Sequence, residues 1–124
     1  MNHCFISTDK NNIIEAMEYY TSDFANKKKF FNSMCFLPDS LVLKHKMLFV
    51  DIEVFIQGFN LKGNMLDYYG KTIIPVETIK IIKTRFESDF VLMLKATVCK
   101  DLKTFYKLLQ YAIENKHYIV HLGI

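Results

Sequence analysis

The chain has 124 residues, 51% hydrophobic and 23% charged, with four glycines and two prolines. That size and apolar content suit one globular domain spanning 1–124, and exclude a disordered charged tail and a collagen-like or low-complexity segment. The formal charge is +3, and the excess sits at the end: residues 71–124 carry nine cations and five anions.

No apolar run approaches the roughly 20 residues that cross a bilayer. The start lacks a basic segment leading into a long apolar core, because Asp9, Lys10, Asn11 and Asn12 interrupt it at once, which argues against a secretory signal. Three widely spaced cysteines, Cys4, Cys35 and Cys99, are not an even disulfide framework. Together these features point to an intracellular protein, cytoplasmic or nuclear, in a reducing compartment with buried thiols. Fifteen Lys accompany a single Arg, Arg85, alongside much Ile, Asn, Phe and Tyr, a mix expected from an AT-rich genome. With one arginine, bidentate reading of guanine has one possible donor.

In chain order, Asn2 to Ser7 predicts a first strand, and Thr8-Asp9 a helix N-cap. From Ile13, the residues Met17, Tyr20, Phe24, Phe31 and Met34 recur at three- and four-residue steps, predicting one helix or two running to about Phe36. Ser22-Asp23 could cap the second, with Lys27, Lys28 and Lys29 complementing the dipole near its end, and Pro38 stops it. Met47 to Gln57 predicts a strand with Leu48, Val50, Ile52, Val54 and Ile56 on one face and Asp51 and Glu53 on the other. Leu41 to Leu43 is its extension or a separate strand turning at Lys44-His45-Lys46. Gly58 to Gly70 predicts a loop.

Thr78 to Phe86 and Phe90 to Val98 predict two strands paired as a hairpin around Glu87-Ser88-Asp89. A helix capped by Asp101 follows, with Leu102, Phe105, Leu108, Leu109, Ala112 and Ile113 on its inner face and Asn115 at its end, and then a closing strand, His117 to Gly123. The expected class is therefore α+β: a mainly antiparallel sheet, an N-terminal helical segment and a C-terminal strand-strand-helix-strand unit, a ferredoxin-like relative. Lys71-Thr-Ile-Ile-Pro-Val-Glu-Thr-Ile-Lys-Ile-Ile, with the hairpin and helix after it, resembles the second half of pleckstrin-homology domains and their lipid-binding relatives over about 45 residues. The extra strand after the final helix departs from that pattern, so no sites carry over.

Among the chemically suggestive groups, Asp51 and Glu53 share a strand face about 7 Å apart, a spacing that can hold a hard divalent metal. With Pro38-Asp39 upstream they resemble the acidic core of restriction-type nucleases, which implies Asp39, Asp51 and Glu53 as ligands. That motif requires a lysine two residues after the last acid, where this chain has Phe55. On a strand, His117 and His121 lie about 13 Å apart and cannot share one zinc; they could instead join His3 and Cys4 if the terminal strands are neighbours. The Gly58 to Gly63 loop lacks the Lys-Ser or Lys-Thr ending of a P-loop, and no cofactor is implied.

The predicted hairpin would present Ile79, Ile81, Lys83, Arg85, Val91, Met93 and Lys95 on one face, apolar with three cations. Ile81, Lys83, Arg85, Met93 and Lys95 are thus candidate docking residues for an acidic protein partner. Lys27, Lys28 and Lys29 with the adjacent aromatics, and Lys80, Lys100, Lys103 and Lys107, are candidate nucleic-acid contacts. The expected function is a small non-catalytic binding protein, an adaptor or inhibitor acting through a protein interface. A nucleic-acid-binding protein comes second and a metal-dependent nuclease at Asp51 and Glu53 third.

Overall fold

A computed structural model describes residues 1–124. Six strands, β1 (Asn2–Thr8), β2 (Met34–Pro38), β3 (Val50–Ile56), β4 (Leu61–Met65), β5 (Lys71–Ile74) and β6 (Tyr118–Leu122), form one sheet in the order β2-β1-β6-β5-β3-β4. Every neighbouring pair is antiparallel. Six helices accompany it: α1 (Ile13–Met17), α2 (Phe24–Lys28), α3 (Asp39–Lys44), α4 (Val76–Ser88), α5 (Phe90–Val98) and α6 (Lys100–Glu114). The class is the α+β, mainly antiparallel one expected, in keeping with a ferredoxin-like relative.

Strand alternation divides the core in two. Phe5, Cys35, Leu37, Ile52, Val54, Ile74 and Ile119 point to one face, where α4, α5 and α6 complete the larger cluster with Ile79, Ile82, Phe86, Leu92, Phe105 and Leu109. Cys4, Ile6, Ile73, Val120 and Leu122 point to the other, covered by Ile13, Ala16 and Phe30 of the N-terminal segment. Two-sided burial explains the near-continuous apolar runs of β1 and β6.

Several elements differ from the sequence expectation, each for a local reason. Thr78 to Phe86 and Phe90 to Val98 are not a hairpin but lie in α4 and α5. The buried residues of α4, namely Thr78, Ile79, Ile82 and Phe86, recur at helical steps, and this period overrides the strand preference of its β-branched residues. Asp89, expected in a hairpin turn, is the N-cap of α5: its carboxylate accepts the Leu92 N–H at 3.0 Å. The likeness to the second half of a pleckstrin-homology domain loses its basis with that hairpin.

The N-terminal helical segment consists of α1, α2 and single 3-10 turns, and gives way to β2 before Pro38. Asp9 and Asp23 do cap, accepting the Asn12 and Asn26 amides at 3.0 and 2.9 Å. Leu41 to Leu43 lies in α3 and is not a strand. The expected loop after Gly58 contains β4, which forms a hairpin with β3 through a turn where Gln57 and Gly58 both have positive φ. The last helix and the closing strand are present as α6 and β6, but Asp101 does not cap: it lies inside the first turn of α6, where its carboxylate complements the helix dipole, and the N-cap is Cys99, with no side chain bonded to the free amides. After α6, the chain turns with Lys116 left-handed, at φ 54. The His117 and Lys116 amides bond back to Ala112 and Ile113 at 2.8 and 3.2 Å, a Schellman closure.

Candidate functional site

The most distinctive surface is the outer side of α5. At about 100° per residue, Phe90, Leu94, Val98 and Val91 fall on one stripe roughly 100° wide. All four face solvent, at 74%, 54%, 87% and 59% exposure. The opposite side is seated on the main core through buried Leu92, with Met93 and Ala96 packed against it. A helix apolar on both sides has one side more than its own fold uses.

Beside the start of α5, between it, the end of α4 and the turn leading into β3, lies a cleft of about 720 Å³. Exposed Met47 and the Phe90–Val91 pair supply its apolar walls, and Lys44, His45, Asp51, Arg85 and Asp89 its charged or titratable groups. Arg85 is fixed there: its guanidinium donates to the carbonyls of Met47, Val50 and Asp51 at 3.2, 2.5 and 3.2 Å. These bonds tie α4 to the entry of β3, where Asp51 has a positive φ of 52. The one arginine of the chain is therefore a brace. Lys44, at the end of α3, neighbours Lys95 on the flank of the α5 stripe, and this second ammonium is the main cause holding the Lys95 pKa below the ordinary lysine value. Burial, then Lys95, lowers the His45 pKa, while Asp89 works in the opposite direction.

The docking residues expected on one hairpin face are therefore distributed over several surfaces. Ile81 and Arg85 share one side of α4, next to Glu77, Lys80 and Thr84. Lys83 pairs with Glu87 one turn on in α4 at 3.1 Å and lies 5.6 Å from the ring centroid of Tyr106 on α6; Met93 is near it, lining a small hollow with Phe86 and Tyr106. Lys95 belongs with Lys44. Among the expected nucleic-acid contacts, Lys80 pairs with Glu77 at 3.3 Å and Lys27 sits 5.8 Å from the Tyr19 ring centroid. Lys28 and Lys29 are exposed at the end of α2. Lys100, Lys103 and Lys107 run along an exposed side of α6.

The acidic trio is not assembled. Asp51 and Glu53 lie on exposed positions of β3, with Glu53 paired to Lys62 at 3.6 Å. Asp39 follows β2, at the other end of the sheet order, and bonds to His3 and Tyr68. No group of three or more His, Cys, Asp or Glu side chains is placed to hold a metal ion. Cys4 and Cys35 are buried and Cys99 is half-buried; burial pushes the Cys4 thiol up to about 12 and raises that of Cys35 as well.

One constellation was visible in the sequence only as a condition. The terminal strands are neighbours, and His3 and His121, both fully buried, meet with His3 Nδ1 at 2.9 Å from His121 Nε2. His3 Nε2 is 3.0 Å from Asp39 Oδ1, which the Tyr68 hydroxyl also reaches. His121 Nδ1 is 3.4 Å from Thr72 Oγ1. With Thr72 donating to His121, His121 to His3 and His3 to Asp39, every ring nitrogen is satisfied with both rings neutral. Cys4 is not part of this group, because it points to the opposite face of the sheet. His117 bonds separately, to the Ser7 hydroxyl at 2.9 Å. The histidine pair is packed against Phe5 and Tyr68, and its geometry is that of an internal polar tie.

Comparison with known proteins assigns neither a family nor a role: no family model, no curated protein and no solved structure matches the chain. No helix is long and apolar enough to cross a membrane.

Proposed function

We propose that the chain is a small non-catalytic binding protein, an adaptor or inhibitor acting inside the cell, whose protein interface is the outer side of α5 and the cleft beside it. The observation that carries this reading is the solvent-facing stripe Phe90, Val91, Leu94 and Val98 on a helix already anchored by Leu92. Contiguous exposed apolar surface of this kind marks interaction sites. The neighbouring cleft is large enough to admit a bulky side chain, the usual anchor of a helix-in-groove complex. Three free cysteines are in keeping with an intracellular setting.

The test is selection of binders from a displayed library of helical peptides about 18 residues long, five turns, apolar along one stripe and random elsewhere. Selected peptides should slow amide exchange in α5 and around Met47, and Leu94→Asp should abolish binding while the chain stays folded, its melting temperature lowered by no more than about 8 °C. Failure to obtain binders, or a footprint on another surface, would refute the reading.

A nucleic-acid-binding function is the second reading, and the exposed row Lys100, Lys103 and Lys107 favours it. It requires labelled DNA or RNA to bind with a steep loss of affinity on adding salt, and charge reversal along the row to flatten that slope.

A further inference from the structure

The charges bordering the α5 stripe define which occupant suits it. On the helical wheel, Lys95 falls on one side of the stripe and Thr97 on the other. Lys44 lines the cleft beside Val91, and Lys95 follows Val91 by one helical turn on the same side of the stripe, so two ammonium groups border the apolar surface there, with the Asp89 carboxylate as the opposing charge on Lys95. The other charged groups of the neighbouring cleft are already engaged within the fold: Arg85 holds three carbonyls, and Asp89 caps α5. Asp51 lies exposed towards the Arg85 end of the cleft.

A second copy of the chain matches the apolar stripe but not its border. In a two-fold antiparallel pairing centred on Leu94, Phe90 would meet Val98 of the copy. The exposed side chains, with Met47, offer on the order of 100 Å² each, about 500 Å² in all, short of the roughly 800 Å² per partner of a stable interface. That operator lays each flank of the stripe against the same flank of the copy, so Lys44 and Lys95 would face their own equivalents. Four ammonium groups would then converge at the rim of a desolvated contact, an arrangement that like-charge repulsion opposes. A parallel two-fold pairing sets Lys95 against Thr97 and supplies no carboxylate.

We propose that this surface takes an amphipathic helix from another protein, apolar along one stripe and bordered by Asp or Glu on the side that meets Lys44 and Lys95. The apolar stripe supplies contact area against Phe90, Val91, Leu94 and Val98, with one large residue entering the cleft at Met47. The carboxylates relieve the repulsion between Lys44 and Lys95 and set the direction of the bound helix. This inference rests on the docking function proposed above.

The selected peptides test it separately from that function. Residues bordering the apolar stripe should be enriched in Asp and Glu over Lys and Arg. A glutamate-bordered peptide should bind the full chain about tenfold more tightly than its lysine-bordered version at low salt, with the gap closing as salt rises. The double variant Lys44→Glu, Lys95→Glu, checked for an unchanged melting temperature, should invert the preference. Binding that protects α5 and is lost in Leu94→Asp, yet ignores border charge, would overturn the acidic partner and leave the docking surface standing. Absence of any peptide footprint on α5 would overturn both. A wild-type dimer in sedimentation that Leu94→Asp dissociates would make a second copy the occupant and also overturn the proposal.

Discussion

Two buried histidines show how much of a residue's role depends on the neighbour that folding brings to it. The sequence places His3 on a first strand and His121 on a last one, but their contact requires a pairing across almost the whole chain, which no local pattern encodes. Once β1 and β6 pair, burial and then the adjacent His3 lower the His121 pKa from 6.5 to about 3. The sign of the consequence follows from linkage. Unfolded His121 takes up a proton as the pH falls through 6.5, whereas folded His121 resists until about 3. Its contribution to stability is therefore complete above the upper value and is lost progressively between the two, by up to about 1.4 kcal/mol per pH unit. Urea unfolding at about pH 7.5, 5.5 and 4.5 should show wild type losing stability more steeply than His121→Gln over this window; parallel profiles would contradict the assignment. Arg85 teaches a similar lesson. Its residue type suggested an exposed docking cation, but a guanidinium can satisfy several carbonyls at once, and the fold uses it for that.

At the scale of elements, legibility depended on whether hydrophobic periodicity and local signals agreed. β1, β3 and β6 were legible because alternation coincided with a turn, and α6 because its helical stripe is strong, although its expected cap, Asp101, lies inside the first turn. α5 was not: Phe90 to Leu94 is an unbroken apolar run, on which strand and helix periods give the same answer, and β-branched residues tilt the choice towards strand. The capping role of Asp89 was the available signal against it, and the absence of glycine from Glu87-Ser88-Asp89 already disfavoured a tight hairpin turn. The docking surface was missed for the same reason, since its stripe exists only once the segment is a helix. The two sides of α5 should respond differently to substitution. Leu92→Ala should cost about 2–5 kcal/mol because it empties a packed site, whereas Leu94→Ser should cost under about 1 kcal/mol, mainly helix propensity. Chemical denaturation of both variants checks this, and a comparable loss for Leu94→Ser would show that its side chain is part of the core.

For the whole molecule, composition and patterning gave the α+β class and its predominantly antiparallel sheet, while strand order lay beyond them. The chain leaves the centre of the sheet after β1, builds both flanks, and returns at the end with β6 beside its starting strand. Gly123 lies close against the Tyr68 backbone, where a Cβ would collide with the carbonyl, so the return is tightly seated. This route has a kinetic consequence. The central β1–β6 pairing must close a loop of more than a hundred residues, and such non-local closure slows folding. Joining Ile124 to Met1 through a short turn, and opening the chain instead at exposed Phe59, would make that pairing a hairpin between sequence neighbours. Stopped-flow refolding of this circular permutant should be faster than that of the parent at similar final stability, the cost being transferred to the peripheral β3–β4 pair. A rate equal to or below the parent's would mean that joining the two ends is not the slow step, and that the barrier lies in assembling the helices over the larger core.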